Sequence, residues 1–140
     1  MSTASPDLQA AFAQTHYHVL HGTPFTLRIG EPCAALAPWL RQHQTDCACV
    51  ITAFNPMGQP TSQADNIARH RRLQFALDTA RYATLPTVAQ HPDNGWPAEP
   101  GFLAIGMGRD DALRWAQEWQ QLAVVWCGAD TVAELLYTKQ

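Results

Sequence analysis

The sequence predicts an α+β fold, a two-layer sandwich in which helices pack on a mixed or mainly antiparallel sheet. Three observations carry this. Thr15-His-Tyr-His-Val-Leu-His21 and Phe25-Thr-Leu-Arg-Ile29 alternate with period two and flank Gly22-Thr-Pro24, the pattern of a hairpin. Cys47-Ala-Cys-Val-Ile-Thr-Ala-Phe54 is almost continuously apolar, as a strand covered on both faces must be. Helical patterns stand between later strand patterns, so crossovers mix with hairpins. The 140 residues fit one domain, 1–140, with residues 1–6 frayed.

Each element has a local reason. Asp7 can cap a short helix through Ala13 with Leu8, Ala11 and Phe12 on one face. In the hairpin, Tyr17 and Val19 point one way and His16, His18 and Leu20 the other, while Phe25, Leu27 and Ile29 point inward and Thr26 and Arg28 outward. Ala34 to His43 reads as a helix that starts late, or kinks, at Pro38. Cys47–Phe54 is the central strand, and Asn55-Pro-Met-Gly-Gln-Pro60 cannot be helical. Ser62 caps the next helix, with Asp65 at its positive end. That helix runs to about Thr79, with Ile67, Leu73 and Leu77 inward and Phe75 and Ala76 widening the stripe. Tyr82–Val88 is a strand interrupted by Pro86, which predicts an edge. Ala89–Pro100 is a long loop carrying His91, Trp96 and Glu99. Gly101–Gly106 is a strand, Asp110 caps a helix through Gln120, and Leu122–Trp126 is another strand. Val132–Tyr137 fits a short strand or a short helix.

Composition narrows the function. With Lys+Arg 9 against Asp+Glu 12, the net charge of -3 argues against nucleic-acid binding. Arg69, Arg71, Arg72 and Arg81 place four of the nine basic residues on one predicted helix, a solvated face. The N-terminal residues lack the pattern of a signal peptide, and no apolar run can span a bilayer. A cytoplasmic location with reduced thiols at Cys33, Cys47, Cys49 and Cys127 is the expectation. His16 and His18 share a strand face without a nearby carboxylate or Cys, so no metal is expected, and nothing implies a cofactor. No nucleophile elbow, phosphate loop, dinucleotide fingerprint or zinc-protease motif is present.

The candidate site lies at the strand-to-helix junction. Asn55 ends the central strand, and Asn66 and Arg69 share one face of the helix that follows. Amides and a guanidinium beside a helix N-terminus suit an anion; the alternative is that they tie loop to helix. Arg28 and Glu99 form either an ion pair holding the long loop or parts of one site. Trp96, in a Pro/Gly loop, is the tryptophan placed to touch a ligand or partner.

Seven segments together are similar to a known family. Thr15-His-Tyr17, Leu27-Arg-Ile-Gly30, Ile51-Thr-Ala-Phe-Asn-Pro56, Asn66-Ile-Ala-Arg69, Trp96-Pro-Ala-Glu99, Phe102-Leu-Ala-Ile-Gly106 and Gln121-Leu-Ala-Val-Val-Trp126 occur in the order seen in small bacterial proteins grouped as domain of unknown function 3293. The resemblance implies that Tyr17, Arg28, Asn55, Asn66, Arg69, Glu99 and Gln121 hold the family's polar positions. It brings no activity. One departure is Trp119-Gln120, where that pattern has an aromatic followed by Gly.

The leading expectation is a polar pocket lined by Arg28, Asn55, Asn66, Arg69, Glu99 and Gln121, with Trp96 at its rim. It would bind a small anionic molecule or a peptide. Arg69→Ala would then abolish binding while leaving the melting temperature nearly unchanged. The alternatives are an interaction or homodimerisation module, using the Tyr82–Val88 edge or the Trp96 loop, and an enzyme with Glu99 as general acid or base.

Overall fold

The computed structural model describes residues 5–93 and 95–138. Met1–Ala4 of the stretch expected to fray, and Asn94 of the long loop, lie outside the described residues. Four α-helices are described, α1 (Pro6–Gln14), α2 (Ala37–Gln42), α3 (Gln63–Thr79) and α4 (Arg109–Glu118). Seven strands are described, β1 (His16–Val19), β2 (Phe25–Arg28), β3 (Ala48–Ile51), β4 (Ala83–Gln90), β5 (Glu99–Ile105), β6 (Ala123–Cys127) and β7 (Ala133–Tyr137). They form one sheet in the order β2-β1-β4-β5-β3-β6-β7, and every ladder is antiparallel. The fold is α+β, with helices packed on the sheet.

The sheet curls until its two ends meet. Just past β2, Ile29 bridges to Ala133 and Pro32 to Val132, and the Gly30 N–H donates to the Ala133 carbonyl at 2.8 Å. Period-two alternation then separates two cores. Tyr17, Val19, Leu27, Val50, Leu85, Leu103, Ile105, Val125 and Cys127 fill the concave side, where Leu36 and Leu40 from the α2 region pack. Cys49, Ile51, Phe102, Ala104, Val124 and Leu136 face the convex side and are covered by Leu73 and Leu77 of α3 and Ala112 and Ala116 of α4. β3 is buried on both faces, as its apolar run requires. At Gly101, a Cβ would lie 2.6 Å from the Ile51 carbonyl oxygen, so only glycine permits this approach of β5 to β3.

Several expected boundaries move. Ser5, not Asp7, caps α1, its hydroxyl accepting from the Leu8 N–H, and Pro6 takes the first helical position. Gly108, not Asp110, precedes α4. Glu99 and Pro100 belong to β5 rather than to a loop, because Glu99 pairs with Ala89 and Pro100 with Val88. Residues 132–137, compatible with either element, contain β7. Pro56–Gly58 forms one short 3-10 turn, although Met57 within it is left-handed.

Two corrections have a clear physical cause. β4 is interior, between β1 and β5, not an edge. Pro86 is tolerated because its nitrogen points where β1 ends. The Pro86 carbonyl on that side accepts from Leu20 at 2.8 Å, just beyond the last β1 pair, Val19 with Thr87. A second chain therefore has no free edge at β4 to pair with. On α3, Ile67 and Phe75 are 37% and 73% exposed, while Asn66 is buried with Leu73 and Leu77. The inward face of the first α3 turns is polar, so apolar spacing points to the wrong residues there.

α2, α3 and α4 end alike. At each end a non-glycine residue takes a left-handed φ: Gln44 at 54°, Arg81 at 69° and Gln120 at 58°. The following N–H reaches back to close the last turn, Thr45 to Leu40, Tyr82 to Leu77 and Gln121 to Ala116. These are Schellman caps without their usual glycine. Arg81 thus stands beyond α3, and α4 stops before Gln120.

Candidate functional site

The concave side of the sheet holds a cavity of about 530 Å³. Leu36 and Leu40 of the α2 region pack in the same concave core but do not line the cavity. Leu8 and Phe12 of α1, Tyr17 of β1, Ala89 of β4, Gly101 of β5 and Val125 of β6 contribute to the walls. Asn55, Asn66, Glu99 and Gln121 line it together, with Trp96, 52% exposed, on its outer side. Five of the seven candidate residues therefore converge.

The polar wall is a relay whose direction two backbone groups dictate. Asn55 follows β3 in the left-handed region, φ 49° and ψ 64°, which asparagine tolerates better than most residues. Its backbone N–H donates to Asn66 Oδ1 at 2.9 Å. A backbone N–H can only donate, so the Asn66 amide nitrogen must be on the other side, where it donates to Asn55 Oδ1 at 3.0 Å and to the Thr61 carbonyl at 3.2 Å. The Thr61 N–H also donates to Asn55 Oδ1, at 3.1 Å. The Asn55 nitrogen is left to donate to Glu99 Oε2 at 3.1 Å. Glu99 ends the relay as an acceptor.

Glu99 pairs with no cation among the described residues. Burial pushes its carboxyl above the ordinary carboxylate value, and the Asn55 donation opposes that in part. Tyr17, also in the wall, donates its hydroxyl to the Phe12 carbonyl at 3.1 Å, and burial raises its phenol. Gln121 ties the Asn55 turn to the end of α4, its Nε2 donating to the Phe54 carbonyl at 3.1 Å and the Trp119 carbonyl at 3.2 Å.

The two arginines expected to hold an anion lie elsewhere. Arg28 is exposed on β2 and pairs with Glu31 at 3.7 Å, not with Glu99. Arg69 does not line the cavity. Its Nε donates to the Ala53 carbonyl at 2.7 Å, and its terminal nitrogens donate to the Trp119 carbonyl at 2.8 Å and Gln120 Oε1 at 3.3 Å. It staples the end of β3 to the C-terminus of α4, where a cation is favoured. Among the described residues lining the cavity there is no Lys or Arg; Glu99 is its one carboxylate, and His91, whose Nε2 bonds Gln14 Oε1 at 3.2 Å, also lines it.

Sequence reasoning also passed over several residues. Thr52 and Thr87 line the cavity, and each interrupts an apolar strand, which is the signal that could have found them. Thr52 Oγ1 donates to the Pro100 carbonyl at 2.8 Å. His70 turns inward from α3 behind the cavity, stacked on Phe102 at 4.5 Å and edge-on to Phe54 at 6.0 Å. Its Nδ1 is buried without a hydrogen-bond partner among the described residues, and burial lowers its pKa. On β1, His16 and His18 pack edge to face at 6.0 Å, and His18 Nδ1 bonds Thr26 Oγ1. Among the described residues, no group of three or more His, Cys, Asp or Glu could hold a metal, and no helix is long and apolar enough to cross a membrane.

No curated protein and no solved structure matches this chain. A family described as protein of unknown function (DUF3293) matches residues 51–124, from the end of β3 into β6. That span supplies Asn55, Asn66, Trp96, Glu99 and Gln121. The chain belongs to that family.

Proposed function

We propose that the cavity binds a small molecule, with Glu99 as its polar anchor. The observation that carries this reading is a carboxylate held in the wall of a largely apolar cavity by the Asn66–Asn55 relay, with no cation paired to it among the described residues. A largely buried carboxylate without a paired cation costs stability, and a ligand that donates to it offsets that cost. The volume falls in the range of ligand pockets, roughly 300–1,000 Å³. The expected anion gives way here, because both guanidinium groups lie outside. A cytoplasmic setting belongs to the same reading, supported by four cysteines that stand as free thiols.

The test is a thermal-shift screen of the purified protein against amines, sugars, nucleotides and carboxylic acids, repeated with Ala89→Leu. A ligand at about 100 times its dissociation constant adds about 2.7 kcal/mol, a shift of several degrees. The expected result is a shift that disappears when leucine fills the cavity wall. A flat screen, or a shift unchanged in Ala89→Leu, rules out this site.

A catalytic version has one observation in its favour, the raised pKa of Glu99 beside a cavity. Glu99 would then move a proton on the bound molecule. Turnover of a screened ligand that stops in Glu99→Gln would establish it.

A further inference from the structure

We infer that the molecule this cavity takes is a cation, an alkyl- or arylamine that carries no carboxylate of its own. The inference rests on the binding-site reading above and adds the sign of the ligand's charge.

The polarity of the wall is its first support. Asn55 Oδ1 already accepts twice, from Thr61 and Asn66, and the Asn55 nitrogen is spent on Glu99. Gln121 Nε2 is spent on two carbonyls. The relay therefore points its donors at Glu99 and leaves the remaining carboxylate lone pairs as acceptors. A ligand must bring donors, and an ammonium brings three.

The charge balance is the second. Glu99 brings a negative charge to a wall without Lys or Arg among its described residues. An ammonium neutralises it. A carboxylic acid or a zwitterionic amino acid would set a second carboxylate in the same apolar space, which excludes such ligands through repulsion.

The aromatic lining is the third. Phe12, Tyr17, Phe54 and Trp96 line the same cavity as Glu99, and aromatic side chains attract ammonium groups while accommodating an apolar chain.

The experiment is a titration of isotope-labelled protein near neutral pH, followed by amide NMR shifts, with phenethylamine, 2-phenylethanol and 3-phenylpropionate. These share a ring and chain but present a cation, a neutral hydroxyl and an anion. Phenethylamine is expected to shift the amides of Asn55, Gly101 and Ala123 saturably, and 3-phenylpropionate to leave them unmoved. Glu99→Gln is expected to weaken phenethylamine by at least roughly tenfold, through loss of a charge-paired hydrogen bond. Its own spectrum reports whether it folds; if it does not, the amine-to-alcohol comparison in the unaltered protein decides. Binding of the alcohol or the acid as tight as that of the amine overturns the cation assignment and leaves the binding site standing. No response to any probe overturns the cation assignment, and a flat ligand screen beside it removes the site as well.

Discussion

Asn66 holds Asn55 at two points at once, accepting from its backbone N–H at 2.9 Å and donating to its side-chain oxygen at 3.0 Å. The grip fixes a left-handed residue at the end of the central strand and aims its amide at Glu99. Asn66→Ala would leave the Asn55 N–H and the Thr61 carbonyl without their partner. We expect a loss of about 2–3 kcal/mol, read from urea unfolding as a lower midpoint with an unchanged slope. Asn66→Asp keeps the acceptor but turns a carboxylate toward Asn55 Oδ1, and should recover little of the loss above the carboxylate range.

Arg69 behaves as a structural staple. Its planar fork serves three acceptors on two elements, and a lysine ammonium cannot span them in the same way. Arg69→Ala should lower stability by about 2–4 kcal/mol, and Arg69→Lys should restore less than half of that. Thermal unfolding measures both. This reverses the expectation of a nearly unchanged melting temperature.

The three left-handed helix caps offer a gain. A side chain in this conformation costs about 1–2 kcal/mol. Gln44→Gly, Arg81→Gly and Gln120→Gly should each stabilise by up to about 1 kcal/mol, with Gln120→Gly the least because Gln120 also accepts from Arg69. The sites are on separate helices, so the effects should add. A calorimetric series of single variants and the triple variant checks both points.

Glu99 makes stability depend on pH. Its folded pKa is raised, so the folded protein holds this proton more readily than the unfolded chain. The Glu99 contribution is therefore most favourable in acid, and falls as pH rises from the ordinary carboxylate value to the raised one. Glu99→Gln should melt higher than the parent near neutral pH, and the gain should vanish below the carboxylate range. Melting curves across pH for both proteins test this. The same substitution is the one expected to weaken ligand binding.

Much of this architecture is legible in residue order where local chemistry and burial agree. The β1–β2 alternation, the doubly covered β3 and the Ser62 cap of α3 are such places. The rest depends on tertiary partners. Asn66 and His70 face inward because Asn55 and Phe102 receive them, which no hydrophobic pattern announces. Pro86 sits in an interior strand because its neighbour ends beside it. Asn55 and Glu99 are recognisable as polar residues, but their meeting depends on β5 lying next to β3. Arg69 has the chemistry of an anion ligand and the position of a clamp.

The meeting of the sheet's two ends has a kinetic consequence. Ile29 and Ala133 are separated by most of the chain, yet they close the curl together. The β1–β2 hairpin can form early and locally, but the wall that completes the cavity waits for β7. Such non-local closure slows folding. On a ribosome, β2 and its concave apolar face would remain uncovered until nearly the whole of this sequence has emerged, the interval in which half-made sheets are prone to associate with one another.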